Sequence, residues 1–322
     1  MTLTELVAEL GRYLDEDAPR LSLSPAAFTS PELWAAERER VFGRSWLLAG
    51  HVGDLAEAGA SVTLAPAGRP VTVTREEDGV LRTRSATGAR RPPTSVEEWQ
   101  GFVFVNADPD AEPLAPHLGR IGEELAAYRL TEMTPVTGFT EVWRCNWKIA
   151  VQNAHENYHA MGLHPTTVAL ITPPGGAMEV RTESRWVTRL LSPFREPLAD
   201  TALPLSADQR ATMYNCAVFP SASLAAFGDS VVWISMIPLA IDRIEVRGGV
   251  LTHPAALGGQ DLDALREENA RSAAVVNRED RLGMEAVQRV AGSRFAERGH
   301  LSPKEPGVLA FYRSLARALP AG

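Results

Sequence analysis

Cysteine is nearly absent from this chain: Cys145 and Cys216 are the only two in 322 residues. Neither lies in a CxxC or other metal-ligand spacing, so no disulfide framework, zinc ribbon or thiolate-held iron–sulfur site can be assembled from them. Positive charge is also in deficit. Lys and Arg number 32 against 40 Asp and Glu, a net charge of −8, which argues against a surface that tracks phosphates and removes nucleic acid from the expected partners. Long apolar runs are missing too. The longest, Val231 to Ile241, is interrupted by Ser235 and Pro238 and falls short of the ~20 residues that cross a bilayer, so no membrane span is expected. The first twenty residues carry acids where a secretion signal carries basic residues, and the chain reads as cytoplasmic.

What is present is an ordinary folding mixture. Apolar residues make up 45% and charged residues 22% of the chain, enough to bury a sizeable core, and the length has room for two domains of roughly 150 residues. Leu3, Leu6, Val7, Leu10 and Tyr13 follow helical spacing over residues 2–14. Ser30, Pro31 and Glu32 open a second helix over 31–45. Val62, Leu64, Val71 and Val73 alternate and predict a small antiparallel sheet within 61–80. The stretch from Arg82 to Pro93, rich in Arg, Gly and Pro, reads as a loop, and WQGFVFVN at 99–106 as one buried strand.

Past residue 110 the pattern predicts a helix over 114–129, a strand over 136–147, and a helix carrying NWKIAVQNAHENYHAMGLHP. Strands follow near 178–191, 215–226, 230–237 and 243–252. A long helix runs from Asp261 to about Val290, and FYRSLARAL forms a short amphipathic helix. Strands followed by a long helix predict an α+β fold with an antiparallel sheet, divided into domains 1–110 and 111–322. No internal repeat is present.

The chemistry concentrates around His159 and His164. Five residues turn a helix through about 500°, leaving the rings about 140° apart, too far for one ion if the helix continued. Gly162 and Pro165 can break it, and the two imidazoles can then reach one metal. Glu156, three residues before His159, lies on the same helical face, where a carboxylate can bond the outer ring nitrogen. Two partly buried histidines near a helix end are the alternative. A third ligand is offered by Asp280, the one carboxylate in the stripe Ala273, Val276, Asp280, Met284, Val287 and Ala291. A buried carboxylate has to be protonated, paired with an arginine or bound to metal. Glu279 falls off that stripe and reads as a solvated surface residue. Two imidazoles and one carboxylate with open positions form the donor set of a mononuclear non-haem iron(II) site.

The block NWKIAVQNAHENYHAMGLHP resembles the iron-binding segment of Rieske-type ring-hydroxylating oxygenase large (alpha) subunits, whose pattern is NWK followed by NxxExYHxxxxHP. The resemblance extends upstream to SPELWAAERERVFGRSWLLAGH and WQGFVFVNADPDAEPL. Downstream it takes in VFPSASL, EDRLGMEAVQ and LSPKEPGVLAFYRSLARAL, so that it covers most of the chain in order. It implies a helix-grip catalytic domain, an antiparallel sheet curled around a long C-terminal helix. It also implies Fe(II) held by His159, His164 and Asp280, with Asn153 beside the metal and Tyr158 as a packing or pocket residue, and assembly as a head-to-tail trimer.

One departure is equally informative. The family holds a [2Fe–2S] cluster through CxH and CxxH pairs in the N-terminal domain, whereas the interval from Leu81 to Trp99 has neither Cys nor His. A truncated Rieske-like β subdomain with no [2Fe–2S] cluster is therefore expected. The family counterpart of Glu156 links the iron to a neighbouring subunit's cluster. Here Glu156 becomes a candidate for orienting His159 or for acid/base work. His155, where the family commonly has an apolar residue, reads as solvent-facing, with a pocket group as the alternative. The expected function is an iron(II) oxidoreductase that uses O2 on a small organic substrate, drawing electrons from that substrate or a small reductant. A redox-neutral metal hydrolase or lyase on the same residues stays open, as does a subunit, non-catalytic or electron-receiving, of a complex with a cluster-bearing homologue.

Overall fold

The run FVFVN at 102–106 is apolar on both faces, and a strand buried on both faces lies between two cores. The computed structural model describes residues 1–17, 20–65, 68–85, 94–182 and 184–320. In it Val103 and Val105 join a core containing Leu6, Leu10, Phe42, Trp147, Phe311 and Tyr312. Phe102 and Phe104 join a second core with Tyr128, Leu224 and Trp233.

Among the described residues the strands form three antiparallel sheets. One consists of β1 (Leu47–His51), β6 (Phe102–Asn106) and β5 (Ser95–Trp99), with β6 central. Another is the meander β2 (Ser61–Leu64), β3 (Val71–Arg75) and β4 (Leu81–Ser85). The loop expected from Arg82 onward therefore begins as a strand, paired with β3 from Arg75↔Leu81 to Val71↔Ser85. The remainder of that stretch, 86–93, lies outside the described residues. The single strand expected over 99–106 is the end of one hairpin strand and the whole of the next. Gln100 and Gly101, at φ 51° and 83°, turn the chain between the paired residues Trp99 and Phe102, the positive-φ pair that matches the twist of a two-residue hairpin.

The third sheet has seven strands in the order β7-β13-β12-β11-β10-β9-β8. These are β7 (Thr134–Trp143), β8 (Glu179–Thr182), β9 (Val187–Pro193), β10 (Thr212–Val218), β11 (Ala222–Phe227), β12 (Ser230–Ala240) and β13 (Arg243–Thr252). The strands expected over 178–191 and 215–226 are thus each two antiparallel strands, β8 with β9 and β10 with β11. The helix expected over 114–129 is also divided, into Leu114–Leu118, Ile121–Glu124 and a further turn.

The long helix, Leu262–Ala291, docks on β7 through polar groups. Glu141 of β7 accepts from Asn277 Nδ2 at 3.2 Å and from Arg281 Nη1 at 3.3 Å. Gln288 Oε1 accepts from the backbone N–H of Asn146 at 2.7 Å. The expected stripe is kept in part: Met284 is buried, and Ala273, Val276, Asp280 and Ala291 are half-buried, but Val287 is 48% exposed and the polar Asn277, outside the stripe, is buried. The C-terminal helix, Pro306–Ala318, buries most of its length rather than one face. A β-carbon on Gly307 would stand 2.1 Å from the carbonyl oxygen of His155, so only glycine lets this helix approach so closely. No helix among the described residues is long and apolar enough to cross a membrane.

Candidate metal centre

The side chain of Asn146 caps the helix Trp147–Ala154 by accepting from the backbone N–H of Lys148 at 3.0 Å. That helix ends at His155. After a turn, one further helical turn, Ala160–Leu163, starts from His159 and stops at His164. The two histidines therefore flank a single turn rather than share a continuing helix. Pro165 disfavours helical backbone at the preceding residue, and His164 has left it, at φ −120° and ψ 48°. The ring centroids come to 5.4 Å.

Asp280 reaches the same point from the long helix. Its Oδ1 is 3.0 Å from His164 Nε2 and 3.9 Å from His159 Nε2, and one donor atom from each of the three residues lies within 4.8 Å of the others. Two ligands each about 2.1 Å from one ion are about 3–4 Å apart, so this donor set fits a single cation. Asn153 Nδ2 donates to Asp280 Oδ1 at 3.0 Å, which orients the carboxylate.

Both imidazoles are held from behind. Glu156 Oε1 lies 2.6 Å from His159 Nδ1, and its other oxygen accepts from the His159 backbone N–H at 3.0 Å. Glu279 Oε2 lies 2.8 Å from His164 Nδ1. A carboxylate at Nδ1 keeps the proton there and leaves Nε2 free to donate its lone pair. Glu279 is thus not the solvated surface residue expected from the stripe. Neighbouring helix residues project about 100° apart, and both members of the Glu279–Asp280 doublet lie within hydrogen-bond distance of His164, at 2.8 and 3.0 Å. Although burial disfavours the His164 imidazolium, hydrogen bonds to Asp280 and Glu279 outweigh it and raise the pKa above the usual histidine value.

His155 does not face solvent. It is 7% exposed, its Nδ1 lies 2.7 Å from the Val151 carbonyl, and its ring packs 5.4 Å from that of Phe311. Burial drives its pKa down to about 4. Tyr158 donates its hydroxyl to Glu305 at 3.3 Å. A cleft of about 730 Å³ lined by Arg44, Trp46, Arg185, Trp186 and Arg317 includes none of the three candidate ligands.

The family model described as Ring hydroxylating alpha subunit (catalytic domain) matches residues 130–321. The carnitine monooxygenase oxygenase subunit of Acinetobacter pittii (strain PHEA-2) is 24% identical over 212 residues, 50% of this chain and 55% of that protein. The biphenyl 2,3-dioxygenase subunit alpha of Rhodococcus jostii (strain RHA1) is 26% identical over 208 residues, 48% of this chain and 45% of that one. The chain spans about half the length of the curated relatives it matches. Among solved structures, the quaternary ammonium Rieske monooxygenase CntA superposes with a TM-score of 0.78 over 99% of both chains at 18% identity. Naphthalene 1,2-dioxygenase from Rhodococcus sp. does so with a TM-score of 0.75 over 98% of both, also at 18%. These likenesses show a mixed helix and sheet fold shared with Rieske oxygenases. Because the family match takes in more than half of the 322 residues, this protein belongs to the family of ring-hydroxylating oxygenase alpha subunits, matched through their catalytic domain.

Proposed function

We propose that this chain is a mononuclear non-haem iron(II) oxygenase that acts on a small organic substrate without a Rieske cluster of its own. The observation that carries the reading is the convergence of His159, His164 and Asp280, from two separate segments, on one point. Iron(II) would be held by the Nε2 atoms of the two histidines and a carboxylate oxygen of Asp280. When bound, it supplies a redox-active Lewis acid with positions open to O2 and substrate. Glu156 keeps the proton of His159 on Nδ1, and Asn153 holds Asp280 in place. The reading also divides the chain near residue 110, with a truncated Rieske-like subdomain ahead of a helix-grip catalytic part. Assembly as a homo-oligomer, a trimer by resemblance, belongs to the same reading.

Cluster independence rests on the thiol inventory. Cys145 and Cys216 lie outside the two small sheets and are buried, and burial pushes their thiols up to about 12, the wrong direction for thiolate ligands. Reduction of O2 to water takes four electrons, so a substrate oxidised by two or four electrons, or a small external reductant, is the simplest donor.

The test is O2 uptake by anaerobically prepared iron(II) protein offered carnitine, γ-butyrobetaine, biphenyl or indole, with and without ascorbate and with no reductase. Substrate-dependent O2 consumption and oxidised product are expected. Product formed equally under argon would establish redox-neutral chemistry instead, and product formed only with an added cluster-bearing chain would overturn cluster independence.

A further inference from the structure

Building on that metal-centre reading, we propose that Glu279 is a positioning residue of the centre, anchoring His164 as Glu156 anchors His159. Neighbouring residues on a helix project about 100° apart, and the His164 ring sits in that angle. Glu279 Oε2 is 2.8 Å from its Nδ1 and Asp280 Oδ1 is 3.0 Å from its Nε2. The His164 side chain is 2% exposed and that of Glu279 27%, so the carboxylate reaches in from the rim to a nitrogen that solvent does not serve. The register is set by bonds on either side of the doublet, from Asn277 and Arg281 to Glu141.

Two consequences follow from charge. A carboxylate on Nδ1–H fixes the tautomer and ring plane and strengthens Nε2 as a donor. With a divalent ion on their Nε2 atoms the two imidazoles would carry no charge, and the carboxylates of Glu156, Glu279 and Asp280 would leave the centre at −1. A net negative centre favours the higher oxidation state of a bound iron, which makes its electron easier to give up.

The experiment compares wild type, Glu279→Ala, Glu279→Gln and, as control, the exposed Glu268→Gln. Metal-free protein is titrated anaerobically with Fe(II) and with Co(II) against a competing chelator. Glu279→Ala should weaken binding by about 10–100-fold and shift the Co(II) ligand-field absorption. Glu279→Gln, whose amide oxygen still accepts from Nδ1–H, should recover part of the affinity. In both, the midpoint potential of bound iron should move positive, while thermal unfolding of the metal-free protein stays with that of the control. Wild-type affinity and an unchanged Co(II) spectrum in Glu279→Ala would overturn the inference and leave the metal centre standing. A weakened fold with no recovery in Glu279→Gln would reduce Glu279 to a structural role and overturn it as well. Folded wild type that binds neither metal would sink both readings.

Discussion

Two charged clusters bracket the helix Trp147–Ala154, and they are built on opposite principles. In its first turn, Lys148 Nζ lies 2.6 Å from Glu37 Oε1, and Trp147 Nε1 donates to the other Glu37 oxygen at 2.8 Å. The Lys148 and Glu37 side chains are 1% and 0% exposed. One cation meets one anion, and the cluster is closed. After it, three carboxylates surround two imidazoles, and the side chains of His159 and Asp280 keep 20% and 16% of their surface. Negative charge is in surplus there. A balanced, dry pair locks the N-terminal segment onto the helix Trp147–Ala154, whereas an unbalanced and partly wet cluster has the charge to accept a cation.

The largest effect that separates the two is loss of metal. His159→Ala, His164→Ala and Asp280→Ala should each abolish stoichiometric Fe(II) binding, measured by metal analysis after desalting, while His300→Ala keeps it. Full occupancy in Asp280→Ala would show that the carboxylate ligand is another residue. Next comes Lys148→Met, which strands Glu37 without its cation. It should cost about 3–5 kcal/mol in chemical denaturation, and Glu37→Leu combined with Lys148→Met should cost less than the single change. If Lys148→Met unfolds like wild type, the closed cluster is not a lock.

A smaller effect belongs to His155, buried and neutral at the end of the same helix. Its folded pKa of about 4 lies below the usual 6.5, so the unfolded chain takes up a proton that the folded chain refuses. The stability it contributes is complete above about pH 6.5 and is lost as pH falls towards 4, by at most about 3 kcal/mol. His155→Gln should flatten the acid limb of the stability profile, and an unchanged limb would place the acid-sensitive group elsewhere, His51 being the other buried histidine with a pKa of about 4. Smallest is Glu156→Gln, which should retain the metal with affinity reduced by about 10–100-fold. Complete loss of metal in that variant would make Glu156 a ligand.

Local information made much of this legible. His159, His164 and Glu156 lie within nine residues, and Gly162 and Pro165 announce that the helix cannot run on, so their grouping was available from spacing. Asp280 was reachable because a carboxylate in a helical stripe is conspicuous. Hairpins were less visible. Gln100–Gly101 interrupts no apolar run, and nothing in WQGFVFVN separates one buried strand from the turn of a hairpin.

By itself the sequence determined which residue types could hold a metal, the long helix that carries Asp280, and the absence of cysteine from the small sheets, since each follows from composition or from periodicity within one segment. Only the tertiary structure decided which polar residues beside that stripe are drawn inward. The periodic pattern gave its inward face to Val287, but Glu141 of β7 and the backbone N–H of Asn146 bind Asn277, Arg281 and Gln288, and a few such directional bonds outweigh the burial of one valine. Glu279 meets His164 because the His164 ring, from a separate segment, packs between it and Asp280. Close packing of the C-terminal helix at Gly307 likewise places His155 in the interior, because a side chain's surroundings are set by what packs over it from elsewhere in the chain.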